Sequence, residues 1–257
     1  MPIHPTAIVD PSAKIDDSAE IGPYCIIGAD VNIGAHTRLL AHIYMEGPLT
    51  IGDENVFHPY ATIGVASQDL KYRGERSETR IGNRNKIREF VTIHRGTAGG
   101  GMLTKTGDDC LIMAQAHIAH DCLIGDGVIM ANAATLAGHV VIEDRANIGA
   151  YSGVHQFCRV GREAYVGGYS VIVKDALPFA LTVGNHAKCY GLNITGMKRR
   201  GYGRDVIASL HHAFHLLLSA KLNTTQAVEQ IRNELSGSEQ VSYLLTFIEG
   251  SQRGVIK

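Results

Sequence analysis

Aliphatic residues recur at every sixth position through the first two thirds of this chain. The series runs Val9, Ile15, Ile21, Ile27, Ile33, Leu39, Met45, Ile51, Phe57 and Ile63. It resumes eighteen positions on with Ile81, Ile87 and Ile93. After a second break it continues Thr106, Ile112, Ile118, Ile124, Met130, Leu136, Ile142, Ile148, Val154, Val160, Val166 and Ile172. Of these twenty-five leading positions only Thr106 is not apolar. The second position of the hexad is glycine in eleven units, as at Gly22, Gly28, Gly34, Gly125 and Gly149, which predicts a turn there at no side-chain cost. The fifth position is usually small, so residues one and five face inward with a turn between them and the rest face out. A chain that turns this often is neither a helix nor an ordinary sandwich strand. The pattern predicts a parallel β-helix of hexapeptides, about eight coils at three hexads per coil.

Two interruptions break the register: a charged one over residues 69–80 and a glycine-rich one over 99–105. Loops thrown out of a rigid solenoid are where binding residues commonly sit. The β-helix is read as residues 1–177. Beyond it the period changes to 3.6, with Val206, Ile207, Leu210, Ala213, Phe214, Leu217 and Leu218 on one helix face and Val241, Leu244, Leu245 and Ile248 on another. Between them Asn223 and Gln226 have capping-box spacing ahead of Ala227, Val228, Ile231 and Leu235. A C-terminal helical domain is therefore expected over 178–257.

Composition narrows the function classes. With 24 Lys and Arg against 25 Asp and Glu, a net charge of -1 supplies no global field for nucleic acid or an anionic membrane. The opening Met1-Pro2-Ile3-His4-Pro5 lacks a basic stretch leading into an apolar run, and no segment holds about 18 consecutive apolar residues. A cytoplasmic protein is expected, neither exported nor membrane-spanning. Cys25, Cys110, Cys122 and Cys158 all occupy the small inward fifth position, so they read as buried thiols; no CxxC suggests a metal site.

Residues eighteen apart in an unbroken register stack about 4.8 Å apart on adjacent coils. One outward column then holds His120, Gly138 and Gln156; the next holds Asp121, His139 and Phe157; the one before holds Ala119, Ala137 and His155. With His117 three residues back, this edge collects a polar cluster suited to general-base chemistry. A neutral imidazole at His120 can take a proton from a hydroxyl, and Asp121 can fix its tautomer and stabilise the imidazolium. The Gly138 backbone N–H can meet an oxyanion. No Ser or Cys on this edge offers a covalent nucleophile, so direct transfer is expected. Zinc needs three converging ligands. His117 and His120 are three apart, and His139 and His155 fall in different columns, so neither metal nor cofactor is expected.

Taken together, the motifs QDLKY (68–72), VTIHRGT (91–97), QAHIAHDC (115–122), TLAGHV (135–140), VHQFC (154–158), GNHA (184–187) and MKRRG (197–201) resemble the UDP-N-acetylglucosamine O-acyltransferase family of bacterial lipid A biosynthesis. The resemblance spans nearly the whole chain. It implies a left-handed β-helix, a homotrimer, and transfer of a 3-hydroxyacyl group from acyl carrier protein to the 3-position of UDP-N-acetylglucosamine. His120 resembles the family's general base, Asp121 its orienting group and Gly138 its oxyanion donor. Asp69, Lys71 and His117 resemble residues that grip the sugar. His139, His155 and Gln156 resemble those lining the donor and diphosphate site, and Asn193, Arg199 and Arg200 nucleotide-binding positions. Gly168 resembles the floor of the acyl groove, implying a long acyl chain, near fourteen carbons. Thr195 departs from the acidic residue often found there. Lys198, Arg199, Arg200 and Arg204 form a basic segment; alone it is an ordinary solvated charge run, but it suits an acidic carrier.

Two other classes are weighed. The N-acyltransferase of later lipid A steps carries an extra N-terminal uridine-binding domain, whereas hexads here begin by Val9. A structural scaffold has no need of two loops and a histidine cluster on one edge.

Overall fold

A computed structural model describes residues 3–218, 221–235 and 237–257; Met1 and Pro2 of the opening segment lie outside the described residues. Each hexad leader falls in one of twenty-five short strands, from Ile8–Val9 to Val171–Ile172. They wind as a left-handed β-helix into three parallel sheets. The first sheet has nine strands; the second, beginning at Lys14–Ile15, has eight; the third, beginning at Glu20–Ile21, has eight of these and gains two more from a later hairpin. Leaders and fifth-position residues fill the prism, with Ile63, Ile87, Ile118, Cys122, Met130 and Ala134 fully buried.

Register survives both interruptions. Ile118 pairs with Leu136 eighteen residues on, whereas Ile63 pairs with Ile93, thirty on, and Ile93 with Ile118, twenty-five on. The extra residues are looped out whole. Their bounds differ from the sequence reading, because strands Glu78–Ile81 and Leu103–Thr106 pair with each other over four residues. The loops accordingly span 66–77 and 95–102.

The glycine reading needs correction. The left-handed residue of most turns is the fourth, not the second, and it is seldom glycine: Tyr24, His36, Asp121, His139 and Phe157 all have φ between 55° and 63°. Second-position glycines answer to crowding between coils instead. A Cβ on Gly22 would stand 1.8 Å from the Leu40 carbonyl oxygen, and one on Gly34 2.3 Å from Asp53 Oδ1.

Fourth-position rings stack up the corners at the coil spacing, with Tyr24, His42, Tyr60 and Phe90 following one another at 4.9, 5.1 and 5.0 Å. All five cysteines are free, and burial pushes the thiols of Cys110 and Cys122 up to about 12.

The solenoid core ends at Ala176, and a second apolar cluster begins at Leu177. The segment after 177 opens with a hairpin rather than a helix. Ala180–Gly184 extends the third sheet beside Tyr165–Val166, and Ala187–Leu192 returns antiparallel to it. Pairing in this way covers backbone groups that the last coil would leave open. Helices α1 (Ile194–Arg199), α2 (Arg204–Leu218), α3 (Thr224–Glu234) and α4 (Glu239–Glu249) follow. The capping box at Asn223 and Gln226 is present in both directions. Helix α4 is fastened to the solenoid through Glu143, which accepts hydrogen bonds from the Tyr243 hydroxyl and, at 3.0 Å, from Arg159. The Arg159 guanidinium also lies 4.0 Å from the Phe247 ring centre. No described helix is long and apolar enough to cross a membrane.

Candidate active site

The corner after the first sheet carries the predicted columns. Successive turns are tied by backbone hydrogen bonds from His139 N to His120 O at 3.1 Å and from Phe157 N to Gly138 O at 3.2 Å. This stacking holds the His139 ring against Phe157, with centroids 4.3 Å apart and planes 8° from parallel. The His120 ring meets His139 edge-on at 5.0 Å.

His120 Nδ1 lies 2.8 Å from Asp121 Oδ2. A carboxylate only accepts, so Nδ1 carries the proton and Nε2 keeps its lone pair for substrate. Although its position predicts an outward side chain, Asp121 is buried under the second loop. Thr97 donates to it twice, through its backbone N at 2.9 Å and its hydroxyl at 2.6 Å. Three donors thus satisfy a carboxylate that burial would otherwise penalise. The loop packs so closely that a Cβ on Gly100 would stand 2.0 Å from Asp121 Cγ. Gly138 is equally confined: a Cβ there would lie 2.4 Å from Cε1 and 2.5 Å from Nε2 of His120. Its N–H donates no hydrogen bond among the described residues.

Two more imidazoles complete the floor. His117 Nδ1 is 2.7 Å from the Thr92 hydroxyl, and its ring meets His94 edge-on at 4.9 Å. Burial, followed by repulsion from His117 and His120, pushes His94 down to about 4, and its buried Nδ1 has no protein partner among the described residues. Burial also lowers His117, with His120 adding to it. Burial lowers His139 against the opposing pull of Asp121; His120 adds to the lowering and Asp69 opposes it. Within the first loop Lys71 N closes on Asp69 Oδ1 at 2.9 Å, and Glu75 accepts from Ala98 N at 3.0 Å, joining the two loops. His155 and Gln156 stand exposed one coil beyond His139.

The remaining predicted residues are elsewhere. Gly168 belongs to the corner after the third sheet. Asn193, Arg199 and Arg200 line a cavity of about 510 Å³ against that sheet, with Asn147, Glu163, Tyr165, Leu181 and Thr195. Asn193 is committed as the cap of α1, accepting from Gly196 N at 3.1 Å and donating to Glu163 O at 3.1 Å. Arg200 is held at 2.6 Å by the buried Glu163 carboxylate, and both it and Arg199 are exposed. The predicted residues therefore fall into two groups, one at the corner after the first sheet and one on the side of the third sheet.

Sequence reasoning missed His94, Thr97 and Thr104. Thr97 and His94 stand in VTIHRGT, but their stacking partners lie across the second interruption, where the eighteen-residue rule gives no column. Thr104 Oγ1 accepts from Asp121 N at 2.8 Å. The atoms that could hold a metal are Asp121 Oδ2 and the imidazole nitrogens of His120 and His139, all within 4.8 Å of one another.

A left-handed hexapeptide helix with a histidine–aspartate pair on one edge and a helical tail defines a hexapeptide-repeat transferase, and residues 104–138 match the bacterial transferase hexapeptide. Residues 175–256 match the second domain of UDP-N-acetylglucosamine O-acyltransferases. The chain is 43% identical to LpxA of Acinetobacter baumannii, covering 99% of both chains with a TM-score of 0.97. UDP-N-acetylglucosamine O-acyltransferase of Moraxella catarrhalis gives 43% identity and a TM-score of 0.97 over 100% of each chain. The Bacteroides fragilis enzyme gives 38% and 0.97, covering 99% of this chain and 100% of that one. This chain belongs to the UDP-N-acetylglucosamine O-acyltransferase family.

Proposed function

We propose that the protein transfers a 3-hydroxyacyl group from acyl carrier protein to the 3-hydroxyl of UDP-N-acetylglucosamine, opening lipid A biosynthesis in the cytoplasm. The observation that carries the mechanism is the contact of His120 Nδ1 with a buried, fully hydrogen-bonded Asp121, which leaves Nε2 free beside Gly138. His120 Nε2 takes the hydroxyl proton as the sugar oxygen attacks the thioester carbon. The Gly138 N–H faces the resulting oxyanion. Collapse breaks the carbon–sulfur bond, and the carrier thiolate takes the proton back from His120. Asp121 stabilises the imidazolium between these steps.

The separation of the predicted residues into two groups supports a homotrimer. A convex prism corner supplies no cleft. In a homotrimer the His120 corner of one copy would meet the third-sheet side of the next, where Gly168 and Arg199 stand. The homotrimer is therefore the unit that completes the site. Lys198 and Arg204 line an exposed cavity of about 620 Å³ with His211, His212 and His215, a cationic surface suited to an acidic carrier protein.

Incubating the purified protein with UDP-N-acetylglucosamine and 3-hydroxyacyl carrier protein, and weighing the nucleotide products, tests the reading. An acylated UDP-sugar is expected; unchanged substrates across acyl lengths would overturn it.

A further inference from the structure

We infer that His120, Asp121 and His139 form an inhibitory binding site for a divalent transition metal such as Zn²⁺, whose occupancy is incompatible with general-base catalysis. Column assignment alone keeps His139 apart from His120, but the left-handed turns at Asp121 and His139 bring the donors to a common point. Asp121 Oδ2 lies 2.8 Å from His120 Nδ1 and 3.9 Å from His139 Nδ1. All three donors fall within 4.8 Å of one another. Zinc bound at about 2.0–2.2 Å to nitrogen and oxygen requires donor separations of about 3.3 Å in a tetrahedron, a value those two distances bracket. The side chains of His120 and His139 are 15% and 18% exposed, which leaves an approach from solvent and room for water as a fourth ligand. Imidazole and carboxylate are the donor types that suit zinc and its neighbours in the series.

Inhibition follows from counting protons. In the free enzyme the one proton of neutral His120 is on Nδ1, and Nε2 holds the lone pair. A metal on Nδ1 requires that lone pair instead, so the proton relocates through solvent to Nε2. The imidazole then presents a donor where the reaction needs an acceptor. No net proton is released. Asp121 is diverted from the imidazole to the metal at the same time.

The site itself is read from geometry; only its inhibitory consequence rests on His120 being the base. The experiment separates the two. His211 and His215, four apart on α2, can chelate metal at the surface. The starting protein is therefore a full-length His211→Ala/His215→Ala chain stripped with chelator. Zn²⁺ is titrated in competition with a chromophoric chelator. One ion per chain is expected, with affinity lowered at least tenfold by His139→Ala and by Asp121→Asn. Co²⁺ in that starting protein, with His120, Asp121 and His139 intact, is expected to give the intense visible bands of a four-coordinate ion, a readout that does not depend on the folding of His139→Ala or Asp121→Asn. No retained zinc, or an affinity in both variants equal to that of the starting protein, would overturn the site. In parallel, acyl transfer should fall along the binding curve and return with EDTA. Zinc bound at this site without loss of rate would overturn the base assignment and leave the site standing.

Discussion

His120 and Asp121 are chain neighbours, yet their side chains meet, Nδ1 to Oδ2 at 2.8 Å, with Asp121 in the left-handed region at φ 59°. In an extended strand adjacent side chains point to opposite faces. The turn of the β-helix abolishes that alternation, so a histidine and an aspartate placed side by side in sequence become a hydrogen-bonded pair. The first prediction follows. His120→Ala should lower turnover by about 10²–10⁴-fold while leaving circular dichroism unchanged, because only a partly exposed side chain is removed. Asp121→Asn should also lower turnover, since a carboxamide supplies no charge to the imidazolium and faces two Thr97 donors. Near wild-type turnover in a folded His120→Ala protein would exclude it as the base.

Gly138 is held by what stands over it. A Cβ would come 2.5 Å from His120 Nε2, so Gly138→Ala must displace the imidazole from its Asp121 contact or from the substrate. Turnover is expected to drop about 10²-fold or more with KM little changed. A variant that keeps its melting temperature and its kcat would contradict the placement of Gly138 at the reacting atoms.

The pH dependence of stability should show His94. Its folded value is lowered to about 4 by burial, whereas an unfolded histidine titrates near 6.5. Between those values the unfolded chain binds more protons, so stability rises with pH. The contribution is complete above about 6.5 and is lost as pH falls towards 4. At about 1.4 kcal/mol per pKa unit it amounts to about 3 kcal/mol. Denaturant unfolding from pH 7 to 4 should give a steeper loss for the natural chain than for His94→Gln. Parallel curves would remove His94 as the cause.

The hexads made most of this legible. A period of six with inward leaders predicts strands, and a spacing of eighteen predicts that Gly138 overlies His120 and that His139 neighbours Phe157. The reading failed where residues lie across an insertion. Thr97 reaches Asp121 from within the second loop, across which strand partners are twenty-five residues apart, whereas Thr104, past the loop and in the eighteen-residue register, was missed as an inward position. It also failed where one residue serves two demands. A glycine at a turn suggests φ freedom, yet coil-to-coil crowding at Gly22 demands the missing side chain while the neighbouring fourth position takes the left-handed φ.

That distinction is testable. Gly22→Ala drives a Cβ into the Leu40 carbonyl and should cost about 1–3 kcal/mol through overpacking. Gly74, at φ +85° in the first loop, has nothing within 4 Å of an added Cβ. Gly74→Ala should cost only the backbone penalty, about 1 kcal/mol. Equal losses in the two variants, measured by denaturant unfolding, would return the glycines to a common conformational role.

Acyl length is the last prediction, and it turns on Gly168, the exposed third residue of its hexad. A Cβ there would meet the Ala150 carbonyl oxygen at 3.3 Å, so a longer side chain is tolerated with a shift of a few tenths of an ångström and must project outward. Tyr169 beside it is 72% exposed and stacks on Tyr151 at 5.1 Å, giving the corner an apolar ridge along which an alkyl chain can lie. In the proposed homotrimer this ridge would face the His120 corner of the next copy. Filling the space at Gly168 should therefore shorten the groove. Each methylene excluded from an apolar pocket is worth about 1–3 kcal/mol of discrimination. The natural chain is expected to prefer 3-hydroxyacyl donors near fourteen carbons, and Gly168→Met to move the optimum to shorter ones. Competing carrier thioesters of graded length would be given to both proteins and the products weighed. An unchanged length profile in a folded Gly168→Met trimer would show that this glycine does not bound the groove.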